Sequence, residues 1–263
     1  RSDPGGRCRS GALRRPGRDQ MGSAMRIRST VSLTWHTTLR VARVMPFGLG
    51  FALAVEIAWF FLQQALRGPD GGVSGRLALV PAAEAILLTP FGLAVTRFAL
   101  LGRPEALREI LAQRERLSLA LAWSIAWALP FMLYLRLASS MSPLSLALAS
   151  VAAFLLLTIL HVRLCTVAPA IAIDDPGLSL SGAFAATRGH FWSLALLTLT
   201  VMLPLIGAAL IGPLLLAGLA RLFGVDGPLL TAVLEGSLSA IGLTAGCVMQ
   251  AEIYRLLGAG RTT

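Results

Sequence analysis

The chain has 263 residues, of which 56% are hydrophobic and 14% charged, and its mean hydropathy is +0.73. A soluble domain is nearer half apolar and about a quarter charged, so this composition excludes a water-soluble fold, a disordered chain and a small disulfide scaffold. The net charge of +10 comes from 23 arginines, no lysine and 13 acidic residues.

Residues 1–24 read as a disordered basic tail. Six arginines and two aspartates fall in the first twenty positions, without periodicity or an apolar run. The expectation is an upstream translated extension, with the native start at Met21 or Met25. The alternative is a basic arm that binds anionic lipid, as polybasic segments do. Residues 25–259 then form one membrane domain. Its first segment is a short helix with Ile27, Val31, Trp35, Thr38 and Ala42 on one stripe and Arg26, Arg28, Arg40 and Arg43 around it.

Six apolar runs follow, at residues 44–66, 77–98, 117–138, 144–168, 191–219 and 230–254. Each reaches the ~20 residues needed to cross ~30 Å of hydrocarbon. Continuous apolar runs select helices over alternating strands, so the predicted fold is all-α: a polytopic bundle of six transmembrane helices. Short interfacial amphipathic helices are expected ahead of the first, third and fifth spans, the second at 104–116 and the third at 178–188. Pro104 suits a first helical turn and Glu105 its positive dipole end. Pro81, Pro90 and Pro130 mark expected kinks. The fifth run is too long for one span, and Pro204 and Pro213 predict a kinked span followed by an interfacial piece at 213–223. Arginine sets the orientation. With the N-terminus in the cytoplasm, thirteen arginines of the domain lie inside and four (Arg67, Arg76, Arg136 and Arg221) outside. A bacterial inner-membrane protein with both termini cytoplasmic is expected.

Charges within spans are the first functional suspects, because an unpaired charge in hydrocarbon is costly. Glu56 and Glu84 lie on two spans that form a hairpin, where they line a shared polar path or serve as hydrogen-bonded structural groups. His161 and Cys165 share a helix face at i and i+4, a weak metal pair without a third ligand. No catalytic, phosphate-binding or dinucleotide motif occurs, so neither an enzyme, a cofactor nor a metal site is expected. The arginines form no basic face for nucleic acid. Gly242-x-x-x-Gly246 is a helix-packing signal, with Ala149 and Ala153 as a possible facing surface.

The most characteristic stretch runs from His161 to Trp192. It holds Arg163, Pro169-Ala170, Asp174-Asp175, a short helical segment, Thr187-Arg188-Gly189 and Phe191-Trp192. It resembles the central segment of a broad group of bacterial six-helix inner-membrane proteins, which is similar to the membrane domain found ahead of some glycerophosphodiester phosphodiesterases. The endings Val95-Thr-Arg-Phe and Ile253-Tyr-Arg-Leu share the likeness. The hydrolase activity of those relatives is not carried over by the resemblance; the expectation of a non-catalytic membrane module comes from the inner-face amphipathic segments and the lack of a catalytic motif. Local physics makes Arg163, Pro169, Asp174, Asp175, Thr187, Arg188 and Gly189 an interfacial elbow. Pro169 is expected to end or bend the fourth span, and Gly189 frees the turn into the fifth. The expected function is a lipid-contacting or partner-binding module, with anionic lipid at the inner leaflet as its partner; no protein partner is identified. The alternative is a small transporter or channel using Glu56 and Glu84. A water-accessible polar cavity reaching Glu56 would favour transport, and a dry bundle the module.

Overall fold

A computed structural model describes residues 27–66, 79–138, 141–175, 179–223 and 227–258. Ten helices occupy them, with no strand among the described residues. They are α1 (Ile27–Val44), α2 (Pro46–Leu66), α3 (Val80–Leu101), α4 (Leu107–Ala112) and α5 (Arg114–Ala138). They continue as α6 (Pro143–Leu164), α7 (Val167–Ile173), α8 (Leu180–Ala186), α9 (Phe191–Phe223) and α10 (Gly227–Leu256). Six helical stretches are long and apolar enough to cross a membrane, with α6 and α7 counting as one. The basic tail and residue 178 of the third short segment lie outside the described residues.

The surface shows why the chain needs a bilayer. Leu144, Leu148, Val151 and Phe154 on α6, and Leu203, Leu210 and Leu214 on α9, are each more than half exposed. Apolar faces of that extent are covered by lipid or by a partner. The chain is a multi-pass membrane protein.

The core forms around α10, which packs against α1, α2, α3, α7 and α9. Its buried seam is small: Ala232, Gly236, Ala240 and Thr244 recur every fourth residue. Such a stripe lets neighbouring backbones approach closely. At Gly236 a β-carbon would stand 3.3 Å from the backbone nitrogen of Ile57 on α2. The expected Gly242/Gly246 pair faces α9 instead, toward Leu205 and Met202.

Several expectations are corrected. Pro81 falls in the first turn of α3, where its missing N–H breaks no helical bond, so it starts the helix rather than kinking it. α9 is continuous through Pro204 and Pro213; no separate interfacial piece forms. In lipid, an interrupted helix would expose backbone groups without water to satisfy them, so the helix tolerates its prolines. α1 buries Thr30, Thr34, Thr38 and Val41, a face offset from the expected stripe. Thr38 Oγ1 is satisfied within the helix, donating to the Thr34 carbonyl at 2.8 Å, whereas the buried Thr34 hydroxyl has no hydrogen-bond partner among the described residues. Ile27, Val31 and Trp35 pack at the edge of that contact, against a core shared by α6, α9 and α10. The helix expected at 104–116 is shorter: α4 buries only Ile110, and Gln113 separates it from α5.

Candidate functional site

Two regions gather the polar side chains. The first is a cavity of about 820 Å³ bounded by α3, α5, the α6–α7 segment, α10 and the end of α2. Its lining on α3 runs from Val80 to Thr96, about 24 Å at ~1.5 Å per residue. Its size falls within the usual range for small-molecule sites. One wall is aromatic: Trp123, Trp127 and Phe131 recur every fourth residue of α5 and all face it. Trp123 and Trp127 meet edge to face at 5.9 Å, and Trp127 meets His161 of α6 at the same separation. Glu84 lies in the α3 wall, and Gln250 of α10 is one of its few other polar liners.

The hairpin of α2 and α3 brings the two suspected carboxylates together, in different settings. Glu84 faces the cavity. Glu56 lies behind it, close enough for their charges to interact, and is 9% exposed at the α2–α10 seam beside Gly236. Trp59, one turn beyond Glu56, places its indole beside Glu84. Its buried Nε1–H approaches the Glu84 carboxyl as a donor without reaching the geometry of a full hydrogen bond.

His161 and Cys165 do not share a face. His161 lines the cavity, whereas Cys165 is buried with Leu194, Val201 and Met249. Just beyond them the helix breaks at Cys165–Thr166, where α6 stops and α7 begins. Pro169 explains it from a distance: a proline ring crowds the carbonyl four residues earlier, which here is that of Cys165. Pro169 itself sits in the first turn of α7, and the helix continues to Ile173. The expectation that Pro169 ends the span is therefore moved upstream by one turn.

The second region is a polar layer at the arginine-rich end. Arg97, in the last turn and a half of α3, bonds Glu105 through two nitrogens, at 2.7 and 2.5 Å, and the Ala172 carbonyl of α7 at 2.5 Å. Both charged side chains are buried, at 8% and 11% exposure. A bidentate guanidinium–carboxylate pair is among the stronger protein contacts. Its hydrogen bonds hold the Glu105 carboxyl below the usual carboxylate range. Glu105 thus serves Arg97 rather than the dipole of α4. Beside this pair, Arg116 of α5 bonds Asp174, and the Tyr254 hydroxyl of α10 donates to Asp175. Arg255 donates to the Leu100 carbonyl at 2.7 Å. Asp174 closes α7 in the left-handed conformation at φ 54°, which Asp tolerates better than most residues. The layer ties α3, α5, α7 and α10 together just below the lowest cavity liners, Thr96, Ile171 and Gln250.

The elbow residues divide between two structures. Asp174 and Asp175 belong to the polar layer. Arg163, Thr187 and Gly189 form the turn from α8 to α9. Arg163 donates to the Thr187 carbonyl, and the Thr187 hydroxyl lies 3.3 Å from the Arg163 carbonyl and 3.0 Å from that of Ala183. The Arg163 guanidinium also lies 5.4 Å over the Phe191 ring. Ser179 caps α8 by accepting from the Gly182 N–H. Gly189, at φ 86°, supplies the reversal into α9. Arg188 is exposed at the tip. Thr187→Val should therefore cost about 1 kcal/mol, read as a lowered thermal midpoint in detergent; an unchanged midpoint would remove the elbow's hydrogen bonds from the account of stability.

Arg97 and Glu105 are the residues that sequence reasoning passed over as a pair. The available signal was an arginine one turn inside an apolar span, at Val95-Thr-Arg-Phe. No protein-family model, curated protein sequence or solved structure matches the chain.

Proposed function

We propose that the chain is an inner-membrane protein that binds a small molecule inside its helix bundle, as the binding half of a transport cycle. The observation that carries this reading is the cavity lined by Glu84. An intramembrane carboxylate is costly unless it serves a site or finds a partner, and this one borders a volume of ligand size. The polar layer would form the closed gate, with access from the opposite end. The arginine bias supports a cytoplasmic position for that layer and for both termini. The resemblance of residues 161–192 to bacterial six-helix membrane proteins supports the same membrane. Reporter fusions at residues 70 and 226 should score periplasmic, and those at 110 and 260 cytoplasmic; a periplasmic score at 110 would invert the gate.

The test of the cavity is its access to water. In a variant lacking native cysteines, Ser124→Cys should react with a small membrane-impermeant thiol reagent. Complete protection would mean a dry bundle. A lipid-contacting module would then be the better reading, and a separate observation favours it. Leu180 and Phe184 on α8 are exposed, as is Trp192 at the start of α9. They give the amphipathic segment an apolar side for acyl chains, with Arg188 available to anionic headgroups.

A further inference from the structure

We infer that the cavity selects a hydrophobic monovalent cation, with Glu84 as its counter-charge and the α5 aromatic row as its wall; this rests on the ligand-binding reading above. The charge inventory points one way. Among the described residues the lining contains one carboxylate, Glu84, one imidazole, His161, and no arginine. Arg97 and Arg116, at the arginine-rich end, are engaged in the polar layer with Glu105 and Asp174, and Arg136, which follows the liner Leu135, has an interaction of its own. Glu56 adds a second acidic group behind the same wall. An anionic ligand would meet carboxylates with no opposing charge.

The rest of the wall fits the same class. Trp123, Trp127 and Phe131 offer aromatic surfaces, which attract cations held over their faces, and the attraction grows when water is excluded. Leu88, Leu93 and Leu135 supply apolar surface between them. A strongly hydrated ion such as sodium would have to shed its water against a lining that is largely apolar. An organic cation with a dispersed charge and an apolar skin has less hydration to lose, and both parts of it are matched.

The test uses the full chain in nanodiscs of neutral phosphatidylcholine, with binding to protein-free discs subtracted. The probes are tetraphenylphosphonium, the nearly isosteric anion tetraphenylborate, and neutral triphenylmethanol. Saturable binding of the cation is expected, with none of the anion. Glu84→Gln should weaken cation binding at least tenfold and leave triphenylmethanol unchanged. Trp127→Leu should weaken it several-fold, while Trp192→Leu, outside the cavity, should not. Equal saturable binding of both ions, or unchanged cation affinity in Glu84→Gln, overturns the cation assignment but leaves a ligand site. Failure of all three probes to bind saturably overturns both readings. Should Glu84→Gln fail to fold, the comparison of the two ions on the unmutated chain still decides.

Discussion

Replacing Arg97 with leucine will remove about 1.5–3 kcal/mol of stability and loosen the arginine-rich end of the cavity. The magnitude follows from what remains. Glu105 would be left at 11% exposure without its fork of donors, and the Ala172 carbonyl would lose its partner on α3. Arg103 and Arg116 still act on the Glu105 charge, so the loss is that of the hydrogen-bonded fork and not of an isolated buried ion. The double variant Arg97→Leu/Glu105→Leu should recover more than half of the loss, since it also removes the carboxylate that lost its donors. Thermal unfolding in detergent measures both. In the gate reading, a cysteine at position 171, on the lowest lining, should also become reactive from the arginine-rich side in the single variant. A loss below about 1 kcal/mol would make the pair no stronger than an exposed salt bridge.

The same pair sets a pH dependence whose sign is fixed. Glu105 is more acidic in the folded chain than its ordinary value of 4.5. A carboxylate lowered by folding contributes fully above its unfolded value, and the contribution is lost as pH falls through the folded one. Stability attributable to the pair should be flat from neutral pH down to the ordinary carboxylate range, and fall only below it. In Glu105→Gln that acid-side drop should shrink. A pair-dependent loss between pH 7 and 6 would contradict the assignment.

How much of this was readable beforehand depends on the range of the interaction. The spans followed from hydropathy because lipid forces each backbone group to be satisfied within its own segment, a local constraint. Residues 44–66 and 230–254 fall within three residues of α2 and α10 at each end. Gly189 was legible for the same reason, since a chain reversal is decided by near neighbours. Glu56 and Glu84 were legible as a pair because a hairpin of fixed length brings them together. The polar layer was not. Arg97 meets Ala172 across 75 positions, and Tyr254 meets Asp175 across 79. No periodicity records such a contact. The break at Cys165 was misplaced because the proline responsible acts one turn upstream of itself. Gly242 and Gly246 were legible as packing positions and do pack, against α9; the seam toward α2 was passed over because Ala232, Ala240 and Thr244 do not stand out in a sequence.

That seam gives the other large effect. Gly236→Ala should destabilise the chain by about 1–3 kcal/mol, the usual range for overpacking. The new β-carbon would lie 3.0 Å from Ile57 Cγ1, 3.3 Å from the Ile57 backbone nitrogen and 3.4 Å from Glu56 Cβ. A flexible side-chain tip would move aside. A helix backbone and two atoms near its axis move only if α2 shifts as a body. Glycine-to-alanine replacement within a helix otherwise favours the helix by up to about 1 kcal/mol, which makes Gly207→Ala on α9 the matched control, since open space surrounds its β-carbon position. The two variants should move the thermal midpoint in opposite directions. The functional consequence follows from the position of the contact. Displacing α2 moves Glu56 and Trp59, which stand behind Glu84, so Gly236→Ala should also weaken tetraphenylphosphonium binding while Gly207→Ala leaves it intact. Equal midpoints for the two variants would show that α2 and α10 have slack at this contact, and the close seam would then have no part in holding the acidic wall.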